Sequence, residues 1–139
     1  MFREDFVWGV ASSAYQVEGT DAADGRGACV WDMFAADGRV FEHQNADTSC
    51  DHMHHYKEDI ALMKHLGIRA YRFSLNWARI LPEGTGRVNE KAIAMYRDMI
   101  LTMRENGITP YLTLFHWEFP QALYERGGWQ NPDVVQWFG

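Results

Sequence analysis

The stretch Thr113-Leu114-Phe115-His116-Trp117-Glu118-Phe119-Pro120 decides the fold that this sequence predicts. It completes an apolar run over residues 110–115, and a run without polar alternation is typical of a strand buried on both faces of a parallel sheet. The run gives way to imidazole, indole and carboxylate side chains before a proline stops it. Ligands of parallel α/β folds lie at the carboxyl ends of strands. We therefore expect a site here for a polar ligand with apolar faces, such as a sugar. Core packing of the tryptophan and histidine is the alternative.

Two units with the same order, helix then glycine then strand, lead up to this stretch. Each helix is predicted from an apolar stripe and ends at a left-handed glycine, Gly67 or Gly107, that an isoleucine and a strand follow. The two glycines lie 40 residues apart, a spacing typical of successive βα units. Thr48 or Ser49 is predicted to cap the first helix, and Asn89 the second. The stripes are Met53, Tyr56, Ile60 and Met63 in the first helix, and Ile93, Tyr96, Ile100 and Met103 in the second.

The complete pattern is β-loop-α-β-α-β, with strands predicted at residues 2–12, 68–74 and 110–115 and one more helix starting over 132–138. A (β/α)8 barrel takes about 250 residues, whereas this chain has 139. We therefore predict an α/β chain that is the N-terminal portion of a TIM barrel, its first three βα strands, in one partial domain over residues 1–139. The Gly- and Asp-rich residues 20–45 are predicted to form a long irregular loop that covers the end of a barrel or shapes the rim of a site.

The composition excludes several classes of partner. The formal net charge of −6 argues against nucleic acid and anionic membranes. The sequence has no apolar run of about 18 residues and no signal peptide, and its two cysteines lack CxxC spacing. Free thiols and a cytoplasmic location are therefore expected. The cluster over residues 50–55 has no HExxH spacing and is interpreted as a polar helix face. Neither a metal nor a cofactor is predicted.

Two polar residues next to predicted strands are candidates for a site. Gln16 follows the first strand after a run of small residues, and its amide offers a donor and an acceptor to a pair of sugar hydroxyls. Arg72 lies in an otherwise apolar strand, where a buried charge needs a carboxylate partner. Two interpretations of Arg72 stay open. It forms a structural salt bridge with a residue distant in sequence, or it points into a barrel centre and keeps a catalytic carboxylate ionised.

Taken together, these segments resemble family 1 of the glycoside hydrolases, the β-glucosidase-like (β/α)8 enzymes. The resemblance covers nearly the whole chain, in the family's order and spacing. The matching segments are residues 6–19, 24–27, 56–60, 71–74, 77–82, 116–117 and 127–129. The chain departs from the family at Glu118, where Asp is usual, and at Leu75-Asn76, where smaller residues are common.

The resemblance implies retaining hydrolysis of terminal β-D-glycosidic bonds, with one carboxyl group as nucleophile and a second as acid/base. It implies that Gln16, His116 and Trp117 bind the glycone and that Arg72 supports the nucleophile. The expected partner is a β-glucoside or a related small sugar. The family carries its acid/base in an Asn-Glu-Pro motif and its nucleophile in a Glu-Asn-Gly motif, both after later strands. We expect neither catalytic glutamate in this segment, and hence no activity from the segment alone.

Other functions are compatible with the same residues. The chain is alternatively a sugar-binding module without catalysis, or a half-barrel that forms homo-oligomers through its exposed sheet edges. A weaker alternative is a minimal hydrolase that uses Glu18 and Glu118 as its carboxyl pair.

Overall fold

The computed structural model describes residues 2–20 and 22–139. Met1 and Asp21, the latter an acidic residue of the predicted loop, lie outside the described residues. Strands and α-helices follow in the order β1 (Gly9–Ala11), α1 (Ala14–Val17), α2 (Val30–Ala36), α3 (His52–His65), β2 (Ala70–Ser74), α4 (Trp77–Ile80), α5 (Glu90–Glu105), β3 (Thr109–Thr113), α6 (Gln121–Tyr124) and α7 (Val134–Phe138). Short 3-10 helices lie at Ala22–Asp24, Phe41–His43 and Gly128–Gln130.

The three strands form one parallel sheet in the order β1-β2-β3. Arg72 in the middle of β2 is level with Ala11 of β1 and with Tyr111 of β3. Parallel neighbours need crossover connections, and these contain α3 and α5. The predicted β-loop-α-β-α-β order is confirmed, but the strands are shorter than predicted. Only residues 9–11 of the first strand pair with a neighbour, β2 begins at Ala70, and β3 ends at Thr113.

The core lies between the sheet and the helices α3 and α5. Tyr71 and Phe73 of β2 project toward these helices, because alternate strand residues face opposite sides of a sheet. The buried core cluster consists of Met53, Ile60, Tyr71, Phe73, Tyr96, Met99, Met103 and Ile108. The prediction for α5 is wrong at Ile93, which is 40% exposed, since the helix buries its neighbour Ala92 instead.

The expected burial of the third strand on both faces is also wrong. In β3, Tyr111 is 57% and Leu112 is 43% exposed, and Leu114 just beyond the strand is 61% exposed. Val10 in the opposite outer strand, β1, is 39% exposed. The central strand β2, in contrast, buries Tyr71, Phe73 and Ser74. An apolar run predicts burial in a completed sheet, whereas an outer strand lacks a neighbour on one side.

The helix boundaries confirm some predicted caps and correct one. Gly67 and Gly107 have φ values of 76° and 73°, as predicted for left-handed caps. The Asn89 side chain accepts a hydrogen bond from the Ala92 backbone N–H at the start of α5. Neither Thr48 nor Ser49, however, caps the first long helix.

Helix α3 begins at His52, and its N-cap is Asp51 in a left-handed conformation with φ 50°. Ser49 has a left-handed backbone as well, and its hydroxyl donates to the carbonyl oxygen of Gln16. The serine that the sequence assigns to a helix cap therefore holds the segment that follows β1.

The predicted irregular loop over residues 20–45 contains helix α2, so this prediction is corrected. A reciprocal pair of bonds between Cys29 and Asp32 caps the helix, and Arg26 pairs with Asp32 at 2.8 Å. Gly27 before it donates its backbone N–H to Ala78, and a Cβ at this glycine would meet the Pro82 carbonyl oxygen at 2.0 Å. Only a glycine permits this approach, which fixes the loop against the end of the sheet.

In the described part of the chain, no helix is long and apolar enough to span a membrane. Both cysteines are free, as expected, with Cys29 buried and Cys50 exposed. Burial raises the pKa of the Cys29 thiol to about 11, so this thiol stays protonated at neutral pH.

Candidate active-site half at the strand ends

Arg72 connects the ends of all three strands. Its Nη1 donates to the Ser12 carbonyl oxygen at 3.1 Å and lies 3.1 Å from Nδ1 of His116. The first contact reaches the segment after β1, and the second reaches the segment after β3. Within the described residues Arg72 forms no ion pair with a carboxylate, so the predicted structural salt bridge is not formed. Its role in supporting a nucleophile stays a prediction.

Gln16, His116 and Trp117 line one cavity with a volume of about 580 Å³. Its other walls include Tyr15 and Trp31, whose ring centroids lie 6.1 Å apart. The side-chain amide of Gln16 and Nε2 of His116 form no hydrogen bonds within the described residues. Burial, reinforced by the nearby carboxylate of Asp32, raises the pKa of Tyr15 to about 12, so its hydroxyl stays protonated. The cavity thus offers donors, acceptors and flat aromatic faces.

Trp117 adopts a backbone conformation that is rare for a residue with a side chain. Its φ is 85°, and 65% of its surface is exposed. Such a conformation costs about 1–3 kcal/mol and persists only where surrounding contacts impose it. Here the Phe119 N–H donates to the Trp117 carbonyl oxygen at 2.8 Å, and the Val30 N–H donates to the Phe119 carbonyl oxygen at 2.9 Å. These bonds keep the chain after β3 in the turn that exposes the indole to the cavity.

Glu118 lies behind this turn and joins it to the segment after β1. The residue is 1% exposed, and its Oε1 accepts a hydrogen bond of 2.8 Å from the Tyr15 backbone N–H. Its Oε2 is buried without a partner among the described residues. Burial raises the pKa of Glu118, and the backbone N–H of Tyr15 opposes the rise. Glu118 stands where the family usually has Asp, and its longer side chain accepts a hydrogen bond from the backbone of Tyr15, the residue next to Gln16.

A buried hydrogen-bond network around Glu18 was not predicted from the sequence. Glu18 Oε2 accepts from Nε of Arg79 at 3.1 Å, and its Oε1 accepts from the Tyr96 hydroxyl at 2.6 Å. Arg79 also donates through Nη2 to the Gly19 carbonyl oxygen at 2.9 Å. Glu18 is 4% exposed and does not line the cavity. This geometry does not favour the minimal hydrolase that pairs Glu18 with Glu118, because Glu18 is bonded to Arg79 and Tyr96 and does not line the cavity.

A Glu-Asn-Gly triplet does occur in the chain, at Glu105-Asn106-Gly107, although we expected the nucleophile motif to be absent. Glu105 is the last residue of α5, and Gly107 is the left-handed residue after it. Both precede β3, so they lie at the amino end of the strand, opposite the edge that carries the cavity. Glu105 is exposed there and does not line the cavity. This triplet therefore does not provide a nucleophile for a ligand in the cavity.

The histidine cluster of residues 50–55 is only partly the polar face that the sequence predicts. His54 and His55 are exposed and contact Asp51 and Glu58. His52 is buried, and its Nδ1 lies 2.6 Å from Oδ2 of Asp59. In the described residues, no three His, Cys, Asp or Glu side chains are grouped so that they could hold a metal ion.

Comparisons with known proteins agree with this geometry. The sequence profile of "Glycosyl hydrolase family 1" matches residues 1–139. The chain is 49% identical over 138 residues to beta-glucosidase A of Thermotoga maritima and 47% identical over 139 residues to beta-glucosidase 40 of Arabidopsis thaliana. These alignments cover 99% of this chain but 31% and 27% of the two relatives. The chain therefore spans about a third of the length of the curated relatives it matches.

Solved structures show the same likeness. The structure of the Thermotoga maritima beta-glucosidase in complex with deoxynojirimycin superposes on 98% of this chain with a TM-score of 0.92 and 48% identity, and 31% of that protein is covered. The castanospermine complex of the same enzyme gives a TM-score of 0.93. Family and solved structures together confirm the predicted fold class, with the three-stranded sheet as part of a (β/α)8 barrel. This chain belongs to glycosyl hydrolase family 1.

Proposed function

We propose that this chain is the glycone-binding part of a retaining β-glucosidase-type glycoside hydrolase, which hydrolyses terminal β-D-glycosidic bonds without a cofactor. The observation that carries the proposal is the meeting of Gln16, His116 and Trp117 in one cavity. Gln16 follows β1, whereas His116 and Trp117 follow β3, and these two strands are not neighbours in the sheet. Gln16 and His116 are 100 residues apart in sequence. The relatives of this chain, which are beta-glucosidases, support the same activity class.

The three side chains suit the surface of a pyranose. The Gln16 amide can donate to one hydroxyl and accept from another, and Nε2 of His116 has no partner among the described residues. The exposed indole of Trp117 offers a flat apolar face to the C–H groups of the sugar. The cavity excludes part of the water around these groups, so hydrogen bonds in it are stronger than in bulk solvent.

Catalysis in this proposal needs groups that the chain does not supply to the cavity. Retaining hydrolysis uses two carboxyl groups about 5–5.5 Å apart. No Asn-Glu-Pro motif occurs in the sequence, and the one Glu-Asn-Gly triplet lies at the wrong end of β3. Arg72 has donors left at Nε and Nη2 after its two contacts through Nη1, and these are available to a nucleophilic carboxylate. We therefore propose that the chain alone binds sugar without turnover.

The second candidate is a self-associating half-barrel, and one observation favours it. Both outer strands expose apolar residues, with Val10 on β1 and Leu112 on β3, and within the described residues each pairs with a strand on one side only. Such edges template further strand pairing. Light scattering over a range of concentrations tests this candidate, and a strictly monomeric chain contradicts it.

Backbone NMR of the 139-residue chain titrated with glucose tests the main proposal. We expect shift changes confined to the cavity residues, and their loss in Gln16→Ala and His116→Ala. Gln130→Ala and His65→Ala are matched controls, because both side chains are exposed and do not line the cavity. Shift changes elsewhere, or equal effects of the control variants, would contradict the assignment of the site. Turnover of an aryl β-glucoside by the pure chain would contradict the proposed inactivity.

A further inference from the structure

We propose that Arg72 is a positioning residue that fixes the tautomer of His116, so that the Nε2–H of His116 donates to a sugar hydroxyl. This goes beyond the support of a nucleophile, and it rests on the proposed sugar-binding function.

The geometry around Nη1 of Arg72 leaves one assignment of the protons. This nitrogen carries two N–H groups, and it has two partners at 3.1 Å, the Ser12 carbonyl oxygen and Nδ1 of His116. A guanidinium has donors only, so Nδ1 has to accept and cannot carry a proton. In a neutral imidazole the single proton then lies on Nε2. Because Nε2 has no partner within the described residues, its N–H is free to donate to a ligand.

Among the described residues, Arg72 is the one hydrogen-bond partner of Nδ1 of His116. A proton on Nδ1 would remove the acceptor of the Arg72 bond and place an imidazolium beside a guanidinium. The segment after β1 presents only uncharged side chains to the cavity, namely Ser13, Tyr15 and Gln16. The residues of the 40–49 segment that line it are uncharged as well. Besides Tyr15 and His116, Glu118 is the ionisable residue of the lining. Its Oε1 accepts from the Tyr15 N–H, and its Oε2 has no partner among the described residues.

The tautomer of His116 determines which groups donate and which accept when a hydroxyl binds in the cavity. A hydroxyl that accepts from Nε2 of His116 keeps its own O–H for a second acceptor, such as the amide oxygen of Gln16. With the other tautomer, Nε2 would accept instead, and Arg72 would face an N–H across 3.1 Å. Arg72 therefore excludes one of two possible hydrogen-bond patterns before a ligand arrives, which is preorganisation of the binding site.

Ring-nitrogen NMR of His116 in the ligand-free chain tests the tautomer. We expect an unprotonated Nδ1 and a protonated Nε2 in the wild-type chain, and a mixture of both tautomers in Arg72→Met. Arg69→Met is the matched control, because Arg69 is exposed just before β2 and has no hydrogen bond to His116 among the described residues; it should leave the ring signals unchanged. Arg72→Lys, which keeps a cationic donor, should retain the tautomer. A protonated Nδ1 in the wild type, or an unchanged ring in a folded Arg72→Met, overturns the proposal.

Calorimetric titration with deoxynojirimycin separates this proposal from the sugar-binding function. We expect Arg72→Met to bind about tenfold more weakly, equivalent to about 1.4 kcal/mol. His116→Gln, whose amide reaches the position of Nε2, should bind more tightly than His116→Asn, whose amide reaches only Nδ1. The reverse order contradicts the assignment to Nε2. If the wild-type chain binds no deoxynojirimycin, the proposed function fails, while the tautomer measured in the free chain still decides the role of Arg72. If Arg72→Met does not fold, the wild-type spectrum and Arg72→Lys decide it.

Discussion

Replacing Tyr96 with Phe removes one hydroxyl from the buried network that holds the segment after β1. This hydroxyl donates to Oε1 of Glu18 at 2.6 Å and accepts from the Asn76 backbone N–H at 3.0 Å. A hydrogen bond to a charged group contributes about 1.5–3 kcal/mol, and a buried N–H left without a partner costs about 1–3 kcal/mol. Since Tyr96 and Asn76 are 3% and 1% exposed, water does not replace either bond without rearrangement. We expect Tyr96→Phe to lower the free energy of unfolding by about 3 kcal/mol.

Urea denaturation followed by circular dichroism measures this loss. With an m value of about 2 kcal/mol/M, the midpoint should fall by about 1.5 M. Tyr124→Phe is the control, because Tyr124 is 60% exposed and its hydroxyl forms no hydrogen bond within the described residues. It should change the free energy of unfolding by less than about 0.5 kcal/mol. If the two variants lose equal stability, the Glu18 network does not hold this segment and the reasoning is refuted.

Three further predictions concern the packing of the fold and the site. Gly84→Ala should lower the free energy of unfolding by about 1–3 kcal/mol more than Gly86→Ala does. Both glycines have left-handed φ values, but only at Gly84 would an added Cβ meet Leu123, at 2.3 Å. Equal urea midpoints for the two variants would contradict this packing. Burial raises the pKa of Glu118, so the stabilisation that its proton provides below the unfolded pKa is lost as pH rises through the folded pKa. As pH rises from the pKa of this carboxyl in the unfolded chain to its raised pKa in the folded chain, the wild type should therefore lose stability relative to Glu118→Gln. If the difference in the free energy of unfolding between the two proteins did not depend on pH, the Glu118 carboxyl would not titrate in the folded chain. In a full-length hydrolase of the kind proposed above, Gln16→Ala and His116→Ala should each lower kcat/KM by about 100-fold, or about 2.7 kcal/mol. Near wild-type kinetics would make both residues structural.

Local signals in the sequence predicted the order of the elements well. The apolar stripes, the left-handed Gly67 and Gly107, and the Asn89 cap each depend on residues a few positions apart. The resemblance to a family selected Gln16 and the His116-Trp117 pair, which the structure brings to one cavity. Their binding role stays a prediction, because lining a cavity does not demonstrate a contact with sugar.

Interactions between distant segments could not be predicted in the same way. Glu18 binds Arg79 and Tyr96, which are 61 and 78 positions away, and neither spacing leaves a periodic pattern. From the sequence we likewise expected a carboxylate beside Arg72, whereas the structure provides a carbonyl oxygen and an imidazole nitrogen. Helix α2 was missed because residues 20–45 are rich in Gly and Asp and show no sustained helical period, while its stabilising contacts come from Arg26 and from the chain after β3.

A crystal structure of this chain with deoxynojirimycin tests the central claim most directly. We predict that the piperidine ring lies in the cavity against the indole of Trp117, with its hydroxyls about 3 Å from the Gln16 amide and from Nε2 of His116. Nδ1 of His116 should stay bonded to Arg72 in that complex. A ligand bound at another surface, or a cavity ligand that contacts neither Gln16 nor His116, would contradict the assignment of this strand-end cavity as a glycone site.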